Sequence, residues 1–163
     1  MTLALALVAL VAAQRLAELA WSARNTRRLL QAGAVEVGRG HYPLMIAFHA
    51  TWLVALAAAA YQTRTIAWPA LVLFLLVQPL RLWVLLTLGR RWTTRIIVPD
   101  ESAVRAGPYR WVRHPNYLIV AAELATLPMV FGAWPLALAG SALHVPLLVR
   151  RVAVEDATLK RRR

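Results

Sequence analysis

The segment GPYRWVRHPNY, residues 107–117, combines turn residues with side chains that can bind a polar ligand. Its Gly-Pro start predicts one turn. His114-Pro115 predicts a second turn, because proline suits the first turn of a helix and disfavours helix at the residue before it. A loop fixed at both ends is typical of a binding loop. Anchoring at a membrane interface would explain Trp111 and Arg113, but neither the two turns nor His114.

The C-terminal run RRVAVEDATL, residues 150–159, places basic and acidic groups together. Arg151 and Glu155 stand at i and i+4, so on a helix they share one face. Asp156 is expected to point elsewhere. A solvated helix beside the membrane with one salt bridge is the simpler interpretation. Against it, a basic helix at an anionic lipid surface has little need of acidic residues.

Four charged residues fall inside apolar segments, where each charge costs about 2.5–3.5 kcal/mol on insertion scales. Arg15 and Glu18 are expected to pair along one helix face. Arg81 has no acidic neighbour within a helical turn, so it needs a partner from another helix or an anionic ligand. Ligand contact is favoured over snorkelling to the surface. For Glu123 the sequence leaves two roles open, pairing with Arg81 across the bundle and a role in a functional site.

Several kinds of chemistry are excluded. The chain has no cysteine, so a disulfide framework, a thiolate metal site and thiol catalysis are ruled out. His49 and His144 lie in apolar segments and are interpreted as hydrogen-bonded core histidines, which leaves no metal-ligand set. There is no G-x-G-x-x-G turn, which argues against a Rossmann-type cofactor site.

These residues are carried by a chain of 163 residues, of which 60% are hydrophobic and 16% charged. A soluble domain of this size could not bury so much apolar surface, so the sequence predicts an all-α, polytopic integral membrane protein. Three segments reach the roughly 20 residues that span a bilayer, and two shorter ones form a hairpin around GAWP. The five predicted helices are Leu3–Trp21, Pro43–Tyr61, Ile66–Leu88, Tyr117–Phe131 and Ala133–Val149.

Basic residues collect in alternate connections. Of the 19 Lys and Arg residues, all but Arg15, Arg64 and Arg81 follow the first, third or fifth predicted span. By the positive-inside rule these segments face the cytoplasm and the N-terminus lies on the outer side of the membrane. Short clusters between apolar runs also argue against nucleic-acid binding, despite a net charge of +12.

The expected organisation is a single membrane domain over residues 1–163. Residues 1–65 would form the N-terminal helices and residues 66–163 a catalytic core. Within that core, the loop 89–116 and a C-terminal helix 150–160 have room for chemistry. The run SARNTRRLLQAG is expected to extend the first helix along the membrane surface as far as Gly33.

The segments GPYRWVRHPNY and RVAVED together resemble the signature of the isoprenylcysteine carboxyl methyltransferase family. Members are integral membrane enzymes that use S-adenosylmethionine, and they carry G-x-Y…R-H-P-x-Y before a helical hairpin and then R-x-x-x-E-E. The resemblance covers roughly residues 81–159. The segments QRLAEL, RNTRRLLQAGAVEVGRGHYP and LGRRWTTRIIV resemble a bacterial branch linked with methylation of long-chain polyketide lipids.

The resemblance implies a cofactor pocket formed by the loop and the final hairpin. The residues it implies in binding S-adenosylmethionine are Gly107, Tyr109, Arg110, Val112, His114, Pro115, Tyr117 and Glu155. Arg81, Arg151 and Glu155 are implied as catalytic residues that orient the acceptor, and no metal is implied. Two positions depart from the family pattern: Ile119 stands where glycine is usual, and Asp156 replaces the second glutamate.

The expected function is O-methylation of a lipophilic acceptor, at a carboxylate or at a phenol or enol oxygen of a prenyl- or polyketide-type lipid. Methyl transfer from a sulfonium needs mainly proximity and alignment. A carboxylate is already nucleophilic, whereas a phenol or enol needs help in losing its proton. Arg81 and Arg151 are expected to hold the acceptor oxygen and lower its pKa. Phospholipid-type N-methylation and a non-enzymatic membrane scaffold or transporter subunit are the alternatives, and the oligomeric state is left open.

Overall fold

The computed structural model describes residues 2–100 and 104–160. Its helices are α1 Leu3–Gln31, α2 Tyr42–Gln62, α3 Trp68–Leu88, α4 Pro115–Val130 and α5 Trp134–Lys160. Within the described part, α1, α2, α3 and α5 are long and apolar enough to cross a membrane, whereas α4 has 16 residues. The prediction of an all-α, polytopic membrane fold with five helices is confirmed. The predicted basic tail at residues 161–163 lies outside the described residues.

The helix ends follow local chemistry. Thr2 caps α1, since its hydroxyl accepts a hydrogen bond from the Leu5 backbone N–H at 3.3 Å. The helix ends just before Gly33, whose φ of 89° suits glycine, so the predicted extension of the first helix is confirmed. At α4, Pro115 occupies the first turn, as the His-Pro pair predicts.

The last helix differs from its prediction. The sequence predicts a span that ends at Val149 and a separate C-terminal helix, but α5 runs through both without a break. Pro146 lies inside α5 and does not end it. One continuous helix therefore carries residues from the membrane core to the end of the bundle where α1 ends and α4 begins.

Helix α4 lies centrally and packs against both α3 and α5, while α1 packs on α2. Its buried face consists of Pro115, Ile119, Glu123, Leu124, Leu127, Pro128 and Val130. By contrast, α3 leaves large apolar side chains such as Leu76 and Leu82 exposed, where lipid tails would cover them. Glu123 therefore points into the protein, not toward lipid.

A short antiparallel ribbon joins two connections of the bundle. Strand β1, Val35–Val37, pairs with β2, Ile96–Val98, with Val37 opposite Ile96. The sequence interpretation did not include this ribbon, because strands of three residues give almost no periodic signal. The pairing places the α1–α2 connection and the α3–α4 connection at the same end of the bundle, and α5 also contacts β1 there.

Candidate functional site

A cavity of about 1190 Å³ lies at the ribbon end of the bundle. Its walls come from the end of α1, the segment around β2, the loop before α4 and the last turns of α5. Small-molecule sites usually enclose roughly 300–1,000 Å³, so this space is large enough for a nucleoside-sized cofactor together with part of a second ligand.

The loop before α4 is held against α3 by close packing. Its first turn is a short 3₁₀ helix, Gly107–Arg110. Gly107 has a φ of 53°, and a methyl group there would overlap the Thr87 hydroxyl. Trp111 packs edge-on against Trp83 of α3, with ring centroids 5.8 Å apart. Only glycine satisfies both the backbone angle and the contact at residue 107.

His114 is positioned by groups from two elements. Its Nε2 lies 3.1 Å from Asp156 Oδ1 on α5, and its Nδ1 lies 3.9 Å from Glu155 Oε2. The imidazole also stacks on the Tyr117 ring, with centroids 5.3 Å apart and planes 18° from parallel. Since a carboxylate can only accept, the contact with Asp156 fixes a proton on Nε2.

Tyr117 joins α4 to α5 through its hydroxyl. The hydroxyl donates to Glu155 Oε2 at 2.5 Å and accepts from Arg151 Nε at 2.8 Å. The Arg151 guanidinium lies 5.6 Å from the centroid of the same ring. Arg151 and Glu155 therefore share a face of α5, as their spacing predicts, and the tyrosine oxygen lies between them.

Tyr109 contributes a neutral aromatic wall. Burial raises the pKa of its hydroxyl above the ordinary value of 10.0, and the negative charge of Glu155 raises that pKa further. The phenol therefore keeps its proton throughout the physiological range. A neutral ring can stack on a flat heterocycle without bringing a charge into the cavity.

Arg81 lies elsewhere, in a buried cluster of charges between three helices. It is 4% exposed and donates from Nε to Glu18 Oε1 at 2.8 Å and from Nη1 to Glu123 Oε2 at 2.9 Å. Its Nη2 bonds the second Glu18 oxygen. The contact with an anionic ligand that the sequence favours is replaced here by two protein carboxylates, and Arg81 is not part of the cavity wall.

Arg15 completes this cluster, which we call the charge quartet (Arg15, Glu18, Arg81 and Glu123). Arg15 bonds Glu18 at 2.9 Å and Glu123 at 2.8 Å. The predicted Arg15–Glu18 pair is confirmed, and Glu123 meets Arg81 across the bundle, which is one of the two alternatives the sequence left open. Two positive and two negative groups balance, as a low-dielectric interior requires.

The cavity brings together most of the residues implied in cofactor binding. Those on its wall are Tyr109, Arg110, His114, Tyr117 and Glu155. Gly107, Val112 and Pro115 are absent from the wall: the glycine and the proline fix the two ends of the loop, and Val112 is 38% exposed. Arg151, implied as a catalytic residue, lies on the wall and is 7% exposed.

Sequence reasoning did not name several polar residues of the wall as site residues, among them Asp156 and Asn116. Asp156 was expected to point away from the face that carries Arg151 and Glu155, but it contacts His114, whose imidazole lies near both acidic side chains. Asn116 also lines the cavity, and its buried Oδ1 has no hydrogen-bond partner among the described residues. A buried acceptor without a partner is unusual, so it suits a donor group on a bound ligand.

Helix α1 supports the opposite wall. The buried Asn25 amide donates to the Gly89 and Trp92 carbonyls at 3.1 and 2.9 Å. Ser22 Oγ accepts from the Thr94 backbone N–H at 2.7 Å. These bonds fix the segment between α3 and β2 and give its backbone groups hydrogen-bond partners.

Comparison with known proteins assigns the family. The model of the isoprenylcysteine carboxyl methyltransferase (ICMT) family matches residues 70–161, more than half of the chain. The chain belongs to this family. The match takes in all but the first two residues of α3, and all of α4 and α5. It therefore includes Arg151, Glu155 and Asp156, which contact His114 or the Tyr117 hydroxyl. It leaves α1, α2 and β1 of this ICMT-family protein outside.

Two relatives of this ICMT-family chain are similar over nearly their whole length. The uncharacterized protein YpbQ of Bacillus subtilis is 33% identical over 159 residues, covering 94% of this chain and 95% of that protein. An uncharacterized protein of Haemophilus influenzae is 27% identical over 157 residues, covering 93% of this chain and 91% of its own length. No solved structure matches the chain significantly.

The residues present fit S-adenosylmethionine, the methyl donor that ICMT-family members use in general. Glu155 and Asp156 supply carboxylates suited to its ammonium group. Tyr109 offers a flat face for its adenine, and the Asn116 oxygen offers an acceptor for one of its donor groups.

Proposed function

We propose that this ICMT-family membrane protein is an S-adenosylmethionine-dependent O-methyltransferase whose acceptor is a lipophilic molecule. The observation that supports it most is the continuous set of contacts Asp156–His114–Tyr117–Glu155, with Arg151, on the wall of one large cavity. These side chains lie in the two segments of the family signature, and they meet at one end of the bundle.

The division of labour follows from the chemistry of each group. Glu155 would hold the ammonium of the cofactor, Asp156 would keep His114 in place, and Tyr109 would cover the base of the cofactor. When bound, S-adenosylmethionine supplies a methyl group on a positively charged sulfur, which is already activated for displacement. The protein's contribution is then alignment of the acceptor oxygen, a task suited to Arg151 because its guanidinium is buried and fixed by Tyr117.

We also infer the orientation of the protein. The basic connections and the C-terminal part of α5 lie at the ribbon end, so the positive-inside rule places the cavity on the cytoplasmic side and the N-terminus outside. The cofactor would enter from the cytoplasm and the acceptor from the bilayer.

The test is calorimetric binding of S-adenosylhomocysteine to the detergent-purified protein and to His114→Ala. We expect 1:1 binding by the parent protein and at least about tenfold weaker binding by the variant, because loss of the imidazole removes both its Asp156 bond and its stack on Tyr117. Arg64→Ala, in the exposed connection at the other end of the bundle, is the control and should bind as the parent does.

Folded protein that binds no S-adenosylhomocysteine would support the scaffold or transporter alternative instead. Binding together with methylation of an amine lipid would support phospholipid-type N-methylation. The buried Arg151 guanidinium argues against that alternative, since it would repel a cationic amine.

A further inference from the structure

The tip of the loop before α4, residues 110–113, is exposed and amphipathic. Trp111 is 68% exposed, and Val112 beside it is also exposed. Arg110 and Arg113 stand on either side of them, and the Arg110 guanidinium lies over the Trp111 ring, 5.3 Å from its centroid. The two apolar side chains do not line the cavity wall, so the cavity does not explain them.

The loop tip lies against the lipid-facing side of α3. Trp111 packs edge-on against Trp83, an exposed residue five positions before the helix ends at Leu88. Leu82 and Leu86, on the same stretch of α3, are exposed as well, where lipid tails would cover them. At 1.5 Å per residue, Trp83 is roughly 8 Å from the end of the helix. Both indoles therefore lie at the level of the membrane–water interface, where tryptophan is enriched.

The arginines in and beside the loop tip lack carboxylate partners. Arg105, Arg110 and Arg113 form no ion pair with any residue that the structure describes. By contrast, Arg95, next to β2, pairs with Glu36 at 3.2 Å. Guanidinium groups bind phosphate well, so these three charges beside an apolar tip are complementary to the headgroups of an anionic lipid. The same three arginines reach the cavity, which places them close to the cofactor site.

Backbone hydrogen bonds join the loop tip to the side of the loop that faces the cavity. The Trp111 and Val112 N–H groups both donate to the Pro108 carbonyl, at 3.2 and 3.1 Å. The Tyr109 N–H donates to the Ala106 carbonyl at 3.1 Å. Tyr109, which lies on the cavity wall, therefore belongs to the same turn as the tip. A contact that fixes the tip also fixes Tyr109.

We propose that the loop tip docks on the anionic surface of the bilayer, with its two apolar side chains in the headgroup region and Arg105, Arg110 and Arg113 on lipid phosphates. Docking holds the loop against α3 and so raises the affinity of the cavity for its cofactor. The docking stands on the exposed side chains and their charge, whereas the coupling to the cofactor rests on the proposed methyltransferase function.

The first experiment measures docking alone. The sequence has no cysteine, so Val112→Cys introduces a unique thiol for an environment-sensitive nitrobenzoxadiazole label. In nanodiscs that contain phosphatidylglycerol, the label should emit at shorter wavelength than in nanodiscs of phosphatidylcholine alone, because the tip enters the headgroup region of the anionic bilayer. The same emission in both lipids would overturn docking on anionic lipid.

The second experiment measures the coupling by calorimetry in the same two kinds of nanodisc. S-adenosylhomocysteine should bind the parent protein at least about fivefold more tightly with phosphatidylglycerol, which is the effect of one basic side chain near an anionic surface. Arg105→Gln/Arg113→Gln should lose this gain. The readout is the ratio of the affinities in the two lipids, which a direct contact between these arginines and the cofactor would leave unchanged.

The matched control is Arg24→Gln/Arg27→Gln, which removes two exposed charges from α1 at the same end of the bundle. It should keep the gain in phosphatidylglycerol. Loss of the gain in this control as well would overturn the loop as the docking site, because a general effect of surface charge would then be sufficient.

The remaining outcomes separate the lipid, the coupling and the proposed function. An equal gain from inorganic phosphate added to phosphatidylcholine nanodiscs would overturn the lipid as the partner. A label that enters the anionic bilayer without any change in S-adenosylhomocysteine affinity would overturn the coupling. If the parent protein binds no S-adenosylhomocysteine in either bilayer, the proposed function fails, whereas the label still decides whether the loop docks.

Discussion

At the scale of single residues, the position of His114 is fixed by one residue next to it in the sequence and by one residue on another helix. Pro115 restricts its backbone, and Asp156 on α5 holds its Nε2 at 3.1 Å. Where the family resemblance implies a second glutamate, the chain has Asp156, which reaches the imidazole with a shorter side chain. The histidine and the aspartate therefore form a unit.

This unit predicts non-additive substitutions. Asp156→Ala should weaken S-adenosylhomocysteine binding about tenfold, because His114 loses its partner and its ring is no longer fixed. The double variant His114→Ala/Asp156→Ala should bind no more than slightly worse than His114→Ala alone, with a coupling of about 1 kcal/mol. Calorimetry on the four proteins measures this, and strictly additive losses would show that the two side chains act separately.

The sequence predicted part of this residue-level arrangement. The spacing of Arg151 and Glu155 placed them correctly on one face, because that spacing depends only on helix geometry. The direction of Asp156 was wrong, since its contact depends on where the loop before α4 meets α5. The buried Asn116 oxygen, which has no hydrogen-bond partner in the part of the chain that the structure describes, has no signal in the sequence.

At the scale of elements, the loop before α4 depends on its contact with α3. Gly107→Ala should displace the loop, because a methyl group at φ 53° is strained and overlaps the Thr87 hydroxyl. We expect S-adenosylhomocysteine binding to fall at least about tenfold while the protein stays folded. Calorimetry measures the loss of binding, and circular dichroism shows whether the variant is still folded.

Two further variants separate the effect of the steric overlap with Thr87 from the effect of backbone strain at a glycine with positive φ. Gly132→Ala has a similar φ of 69° with no atom within 4 Å of the new methyl group, so it should leave binding unchanged. Thr87→Ala combined with Gly107→Ala should recover part of the lost binding. Equal losses at both glycines, or no recovery, would contradict a role for the loop–α3 contact.

The helices were predictable because span length and hydropathy are local properties. The ribbon between β1 and β2 was not, since three residues per strand carry too little pattern and pairing brings Val37 to Ile96 from a distant part of the chain. The continuity of α5 was missed for a different reason: a change from apolar to charged residues marks where the environment changes, not where a helix ends.

At the scale of the whole molecule, the charge quartet joins α1, α3 and α4 at the core of the bundle. Glu18 comes from α1, Arg81 from α3 and Glu123 from α4. Hydropathy predicts that such charges must be paired, but which helices are neighbours is a property of the assembled fold. For this reason the sequence left Arg81 open to a ligand, whereas the bundle gives it two carboxylates.

The charge quartet predicts that the main role of Arg81 is to stabilise the fold and not to take part in catalysis. Arg81→Gln leaves two buried carboxylates against Arg15 alone, and breaking a buried pair costs about 3–5 kcal/mol. The thermal midpoint in detergent should fall by about 10 °C. Adding Glu123→Gln restores the charge balance and should recover part of the loss, whereas the exposed Arg64→Gln should change nothing. If Arg81→Gln kept the parent midpoint and bound S-adenosylhomocysteine but lost methyl transfer, the acceptor-orienting role implied by the family resemblance would stand instead.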